Sequence, residues 1–258
     1  MKLSDITTGT RFRPARFVVY GVDGIGKSTL AAGAPSPIFI GTESGTAHLN
    51  VARFPTCTTW DAIFDCIATL GQEMHEYQTV ILDSATWAEG LCIKETCDEY
   101  SRRKGKEILA LEDIPYGKGV TYVREKWPSL FAALDWLNDQ GMRIIVIGHA
   151  DVSRFNDPER ETYDRYQLAL DRENAKRLQQ WADCVLFVNY DTVLRSVGEG
   201  FRERKVGADI DRRIVFTERR PAFDAKNRYR LPFRITLPNS PEPAENWQAL
   251  AAHLPQGV

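Results

Sequence analysis

No apolar run in the 258-residue sequence is long enough to cross a membrane, and the opening stretch MKLSDITTGT has no apolar signal core. Those two absences predict a cytoplasmic protein with no membrane partner. The five cysteines (Cys57, Cys66, Cys92, Cys97, Cys184) contain no CxxC pair and are odd in number, which argues against a disulfide framework or a metal clip and for reduced, buried thiols. There is no internal repeat, low-complexity tract or convincing linker, so a solenoid or a string of modules is excluded. The formal net charge is only −2, so the molecule as a whole is no polycation. With 43% apolar and 26% charged residues, the composition is that of an ordinary globular protein. Its length suits one large α/β domain with a full core, or a core plus a small appendage.

The charge is unevenly placed. Between Arg195 and Arg234 stand twelve Lys/Arg against six Asp/Glu, so that stretch carries +6 and the rest of the chain −8. A basic C-terminal part on an acidic body marks a polyanion surface, a subunit contact or simply a solvated charged face.

The most informative stretch is Phe17–Leu30, FVVYGVDGIGKSTL. Phe17, Val18, Val19 and Tyr20 read as a buried strand. Gly21, Val22, Asp23, Gly24, Ile25, Gly26, Lys27 and Ser28 then fit GxxxxGK[ST], and Thr29 leads into a helix. Glycines let backbone N–H groups turn inward around a phosphate. The helix that follows directs its N-terminus at the same anion. Lys27 reaches the β- and γ-phosphates, and the Ser28 hydroxyl ligates Mg²⁺. The motif therefore predicts an ATP-type site, with Gly21, Asp23, Gly24, Ile25, Gly26, Lys27, Ser28 and Thr29 binding the nucleotide.

Further along, PIFI at Pro37–Ile40 reads as a second buried strand running into Gly41-Thr42-Glu43. Ligands in open α/β sheets lie beyond the carboxyl ends of the strands. Glu43 is thus either the carboxylate that orients an attacking water or a solvated loop acid. TWDAIFDCIATL at Thr59–Leu70 predicts a Thr-capped amphipathic helix. Thr79–Leu82 is a short β-rich run ending in Asp83, placed to support Mg²⁺ opposite Ser28 or else to cap the next helix. Helix is predicted to about Tyr100, followed by two basic loops, Ser101–Lys106 and Pro115–Gly119. Each offers cations to nucleic-acid phosphates, with Tyr116 and Tyr122 available to stack on bases. Helix resumes over Thr121–Gln140 with Leu130, Phe131, Leu134 and Leu137 on one face. RIIVI at Arg143–Ile147 is a buried strand whose end carries His149, either a γ-phosphate contact or a satisfied core histidine. Asp151–Tyr166 reads as a long polar connection, Asp171–Trp181 as a helix and Cys184–Val188 as a strand. A hairpin is expected from Thr192–Arg195 and Arg213–Phe216 around Gly198–Gly207.

Three stretches together resemble the RecA-like branch of the P-loop ATPases: IFIGTE at Ile38–Glu43, the strand-end His149, and AKNRYRLPF at Ala225–Phe233. More narrowly, GVDGIGKST, TVILDS, IPYGKG, VIGH and AKNR resemble compact phage-encoded ATPases of single-strand annealing and recombination. The resemblance runs from about Arg16 to Phe233. It implies an α/β fold with a mostly parallel central sheet flanked by helices and a C-terminal β-rich basic extension. The core would be about 16–190 and the extension about 191–258 of a single RecA-like domain.

By that resemblance Glu43 is the catalytic acid and His149 the γ-phosphate sensor. Lys226 and Arg228 become cations reaching into a neighbouring subunit's site. It also implies ATP and Mg²⁺ as ligands, single-stranded DNA as partner, a homo-oligomeric ring or filament, and the bacterial host cytoplasm as location. One departure is Gly41, where such proteins often carry an acid ahead of the Thr-Glu pair. Two other readings stay open: a P-loop small-molecule or nucleotide kinase, with Arg102-Arg103 as lid, and a nucleotide-gated scaffold with negligible hydrolysis.

Overall fold

The fold is built on six parallel strands, five pairings in a row, whose carboxyl ends share one edge. A computed structural model describes residues 2–9, 13–159, 161–197 and 204–256. Around β1 (Arg16–Gly21) lie β5 (Arg143–Phe155) on one side and β7 (Cys184–Val197) on the other. Outward from β5 come β4 (Thr79–Asp83), β2 (Pro37–Gly41) and the two-residue β3 (Ala52–Arg53). All of these pairings are parallel. On the far side of β7 the sheet turns antiparallel, through β8 (Arg204–Phe216) and β10 (Arg234–Thr236). In addition β6 (Tyr163–Leu168) pairs with β5, and β9 (Lys226–Asn227) with β7.

Parallel strands covered on both faces read as unbroken apolar runs, and alternation then divides each run between two cores. Val18, Tyr20, Val80, Leu82, Ile144 and Val146 face one way. They pack on α2 (Trp60–Gln72), α3 (Ala85–Lys104), α4 (Lys118–Asp139) and α5 (Arg172–Trp181). Phe17, Val19, Ile81, Ile145 and Ile147 face the other way, onto α1 (Lys27–Ala32) and α6 (Pro243–Ala251). Thr59 caps α2 by accepting from Ala62 N at 3.2 Å, as its sequence predicts. The five cysteines are all buried free thiols. No helix among the described residues is long and apolar enough to cross a membrane.

Several boundaries differ from expectation for identifiable reasons. The basic stretch expected as a loop from Ser101 is the last turn of α3. Arg102, Arg103 and Lys104 sit where cations favour the negative helix end, and Gly105 closes it at φ 64°. Likewise α4 starts at Lys118, three residues early: Gly117 makes the turn before it at φ 64°, and Gly119 is a packing position within the helix, where an added Cβ would lie 2.5 Å from the Leu111 carbonyl. The polar connection over 151–166 is instead a hairpin. β5 runs on past His149 to Phe155 and pairs with β6, with Phe155 against Tyr163 and the Arg165 guanidinium over the Phe155 ring at 5.0 Å. The β7–β8 hairpin is present, longer than expected at both arms. Residues 198–203 of its connection, like Arg11 ahead of β1, lie outside the described residues.

One buried ion cluster ties the sheet's amino edge together. Asp183 accepts from Arg16 through N, Nε and Nη2 at 3.1–3.2 Å and from Arg228 Nη1 at 2.9 Å. Burial alone would raise the Asp183 carboxyl, but these donors outweigh it and hold the group below its ordinary value. Because the folded value lies below the unfolded one, its stabilisation is present above about pH 4 and is lost as pH falls through the folded value. Asp183→Asn is expected to lower the unfolding free energy at pH 7 by about 3 kcal/mol, since Arg16 keeps only Asp135 as counter-charge. Urea titration checks this, and the gap from wild type should shrink below about pH 4.

Candidate active site at the carboxyl edge of the sheet

Strand register alone brings the site together. Gly21, where β1 gives way to the phosphate loop, lies opposite His149, and Gly41 lies opposite Asp83. The loop after β1, the turn after β2, the end of β4 and the middle of β5 therefore meet at one edge. They enclose a cleft of about 440 Å³ lined by Asp23, Gly24, Gly26, Lys27, Ser28, Thr29, Glu43, Gly45, His48, Asp83 and His149.

Gly24 and Gly26 adopt φ of 73° and 93°, which side-chain-bearing residues rarely take, and this left-handed path curls the loop back over α1. Lys27 is buried, and its Nζ donates to the Gly21 and Val22 carbonyls at 3.0 Å each. Burial lowers its pKa, against the pull of Asp23, Asp83 and Glu43. Ser28 Oγ donates to Asp83 Oδ2 at 2.7 Å. The Asp83 carboxyl is pushed up, first by burial and then by the Glu43 charge, with the Ser28 bond opposing. Asp83 does not cap α3. That task falls to Ser84, whose Oγ accepts from Trp87 N at 3.5 Å.

Glu43 is held by its neighbours. Its Oε1 accepts from Ser84 Oγ at 3.1 Å and lies 3.1 Å from His149 Nε2. The other imidazole nitrogen, Nδ1, lies 2.7 Å from Asp23 Oδ1, so His149 bridges the phosphate loop to the glutamate turn. That contact holds the Asp23 carboxyl below its usual range. Beneath the bridge, Thr42 Oγ1 donates to Ser84 O and accepts from Ser84 N, both at 2.9 Å, and Thr42 N donates to Asp83 O at 2.8 Å. Thr86 Oγ1 accepts from His149 N at 3.1 Å.

The donor set fits a magnesium–nucleotide. Ser28 and Asp83 offer hard oxygens side by side, as Mg²⁺ prefers. Among the described residues no group of three or more His, Cys, Asp or Glu could hold a metal unaided, so phosphate oxygens would complete the shell.

The profile of the AAA domain family AAA_24 matches residues 13–229. This chain belongs to that family. The AAA domain accordingly takes in the phosphate loop, Glu43, Asp83, His149, Lys226 and Arg228, and its sheet and flanking helices are those of a P-loop NTPase. Among solved structures, the flagellar accessory protein FlaH from Methanocaldococcus jannaschii is similar at 10% identity and a TM-score of 0.43. That match covers 90% of this chain and 88% of that one. No curated protein matches.

Not every expected residue of the AAA domain lies at the cleft. Gly21 and Ile25 do not line it. Gly21 serves a close approach to β7, since an added Cβ would lie 2.1 Å from the Val188 carbonyl, and the Ile25 side chain is buried in the core beside α1. Lys226 and Arg228 are at the other end of the sheet. β9 pairs with Cys184 and Val185, whereas the phosphate loop follows Gly21 opposite Val188. At ~3.3 Å per residue the separation along the sheet is about 10 Å for Lys226 and about 15 Å for Arg228, two residues further on. Lys226 Nζ donates to the carbonyls of Gln179, Gln180 and Ala182 at 2.6–3.1 Å, closing the C-terminus of α5. Thr42, Ser84, Thr86 and His48 went unnoticed in the sequence. The first two adjoin Glu43 and Asp83, and that adjacency is the signal that would have found them.

Proposed function

We propose that the protein is a RecA-like ATPase that acts on single-stranded DNA in recombination or strand annealing, assembled so that each active site is completed by a neighbouring subunit. The observation that carries the nucleotide part is the convergence of Lys27, the Ser28–Asp83 pair and Glu43 on one cleft. Lys27 would exchange its two loop carbonyls for the β- and γ-phosphates. Glu43 would orient the attacking water and take its proton. Magnesium held by Ser28 and Asp83 would neutralise phosphate charge. The His149 bridge between Asp23 and Glu43 would open when a γ-phosphate enters and re-form after it leaves.

No described residue lining the cleft is an arginine. A cation to meet charge developing in transfer would then come from another copy, and Arg228 is the residue the resemblance names. A kinase reading finds less support. Arg102 is tied to Glu95 and Arg103 lies over the Tyr100 and Tyr122 rings, so neither forms a lid.

Support for single-stranded DNA comes from the end of α3. There Tyr100 and Tyr122 stack with centroids 6.4 Å apart, Arg103 lies 4.7 Å over Tyr100, and a groove of about 510 Å³ is edged by Lys104, Lys106 and Lys118. Tyr116 stands 95% exposed at its rim. Cations beside an exposed aromatic ring, here Tyr116, are what a sequence-tolerant single-strand site needs.

The test is ATP turnover measured with and without single-stranded DNA over a range of protein concentrations. Stimulation by DNA and a rate per subunit that climbs with concentration are expected. A full rate at high dilution removes the shared site, and a flat response to DNA removes the polymer. Tyr116→Ala is expected to weaken single-stranded DNA binding roughly tenfold without changing DNA-free turnover. A gel-shift titration checks it, and wild-type affinity should fall steeply with salt.

A further inference from the structure

Behind the phosphate loop, outside the cleft lining, lies a cation that the reaction scheme does not use. Arg213 is on β8 at the base of the basic hairpin, paired with Tyr190 of β7. Its Nη2 donates to Pro238 O and Asn246 Oδ1 at 2.8 Å each, and to Ser240 O at 3.4 Å. Asn246 is fully buried and is itself fixed, its Nδ2 donating to Ser240 O and Glu242 O. The guanidinium is therefore anchored on one edge by neutral oxygens. The other edge faces the phosphate loop: a Cβ added to Gly26 would lie 2.6 Å from Arg213 Nη1. Among the described side chains no carboxylate is within ion-pair distance of Arg213.

The neutral oxygens favour the guanidinium as hydrogen-bond acceptors but do not cancel its charge, and the phosphate loop beside it presents inward-turned N–H groups of the same sign. The arrangement becomes more favourable once an anion occupies the loop. We propose that Arg213 is a positioning residue of the nucleotide site: a fixed positive charge that, from behind Gly26, stabilises the phosphates bound in front of it. This rests on the nucleotide-binding reading above and adds to it a second cation, besides Lys27, within the same chain. It also gives the C-terminal segment 238–246 a role in nucleotide affinity, because that segment holds the guanidinium in place.

The experiment compares wild type, Arg213→Gln, Arg213→Lys and Asn246→Ala for binding of ATP, ADP and adenosine in the presence of Mg²⁺, with melting temperature recorded for each. Gln keeps a donor for the neutral oxygens but removes the charge. A loss of about tenfold in ATP affinity is expected for Arg213→Gln, the order of effect for one nearby unit charge at an effective dielectric near 20. The loss should be smaller for ADP and absent for adenosine, and Arg213→Lys should restore most of it. KM should rise with kcat little changed. Asn246→Ala, which loosens the guanidinium but keeps its charge, should lower ATP affinity by less than Arg213→Gln and leave adenosine binding unchanged.

A merely structural Arg213 would change melting temperature without this dependence on phosphate number. Unchanged ATP affinity in a folded Arg213→Gln overturns the inference, and so does an equal loss for all three ligands. Failure of wild type to bind ATP at all would instead overturn the nucleotide reading on which it rests.

Discussion

Glu43→Gln is expected to lower ATP turnover by ~10²–10⁴ while leaving ATP affinity within about threefold of wild type. The substitution preserves shape. The side-chain oxygen can still accept from Ser84 Oγ, and the Thr42–Ser84 clamp beneath it does not involve the carboxylate. What disappears is a base beside the phosphate loop and the charge facing His149 Nε2. Loss of turnover with binding intact would therefore report proton acceptance and water orientation, and not a collapsed cleft. Single-turnover hydrolysis together with equilibrium nucleotide binding separates the two. A rate within about threefold of wild type would remove Glu43 from the chemistry. If strand annealing persisted in the variant after turnover was lost, ATP would serve as a structural ligand, and the scaffold reading would prevail over the one in which hydrolysis drives the activity.

The parts of this site that could be read from the sequence are those encoded within a few residues. Phe17–Tyr20 followed by the glycine-rich loop, and Thr79–Leu82 followed by Asp83, each pair an apolar run with a polar end, and β1 and β4 lie where those runs predicted. Their meeting also follows from parallel strands, whose carboxyl ends share an edge. Features that depend on cross-strand register were not legible. The Thr42–Ser84 clamp exists because Gly41 sits opposite Asp83, which no local pattern states. Arg213 reaches Gly26 across β7, from a strand assigned only to a basic hairpin.

Other misses came from polarity that points two ways. Beyond His149 the β5–β6 hairpin exposes Val152 and carries charged residues on both arms. The period-2 apolar signal of a strand is therefore missing there. Arg102-Arg103-Lys104 likewise looked like a solvated loop, although the same charges stabilise a helix end. Lys226 is the instructive case. Its place in a KNR triplet suggested a cation free to act elsewhere, whereas its position beside α5 gives all three ammonium protons to main-chain carbonyls.

That difference separates Lys226 from Arg228 and sharpens the test of a shared site. Arg228→Ala is expected to reduce ATP turnover in the assembled protein by ~10³ or more, with ATP affinity of the single subunit preserved. Arg228 is suited to the role because its side chain is 52% exposed and, among the described residues, is tied only through Nη1 to Asp183 Oδ1. Leaving that tie costs little, since Asp183 keeps its bonds from Arg16. Lys226→Ala should behave differently. It removes the closure of α5, so its main effect should be a lower melting temperature, with any loss of turnover following the loss of structure.

A mixing experiment distinguishes the arrangements. Glu43→Gln subunits lack the base but keep Arg228, and Arg228→Ala subunits lack the cation but keep the base. If the site is shared, mixing two nearly inactive proteins restores a fraction of wild-type turnover, because some interfaces combine an intact Glu43 with an intact Arg228. If Arg228 acts within its own chain or not at all, the mixture is no better than the sum of its parts. The ~15 Å between Arg228 and the phosphate loop within one chain already makes the first of those alternatives require a large rearrangement of β9.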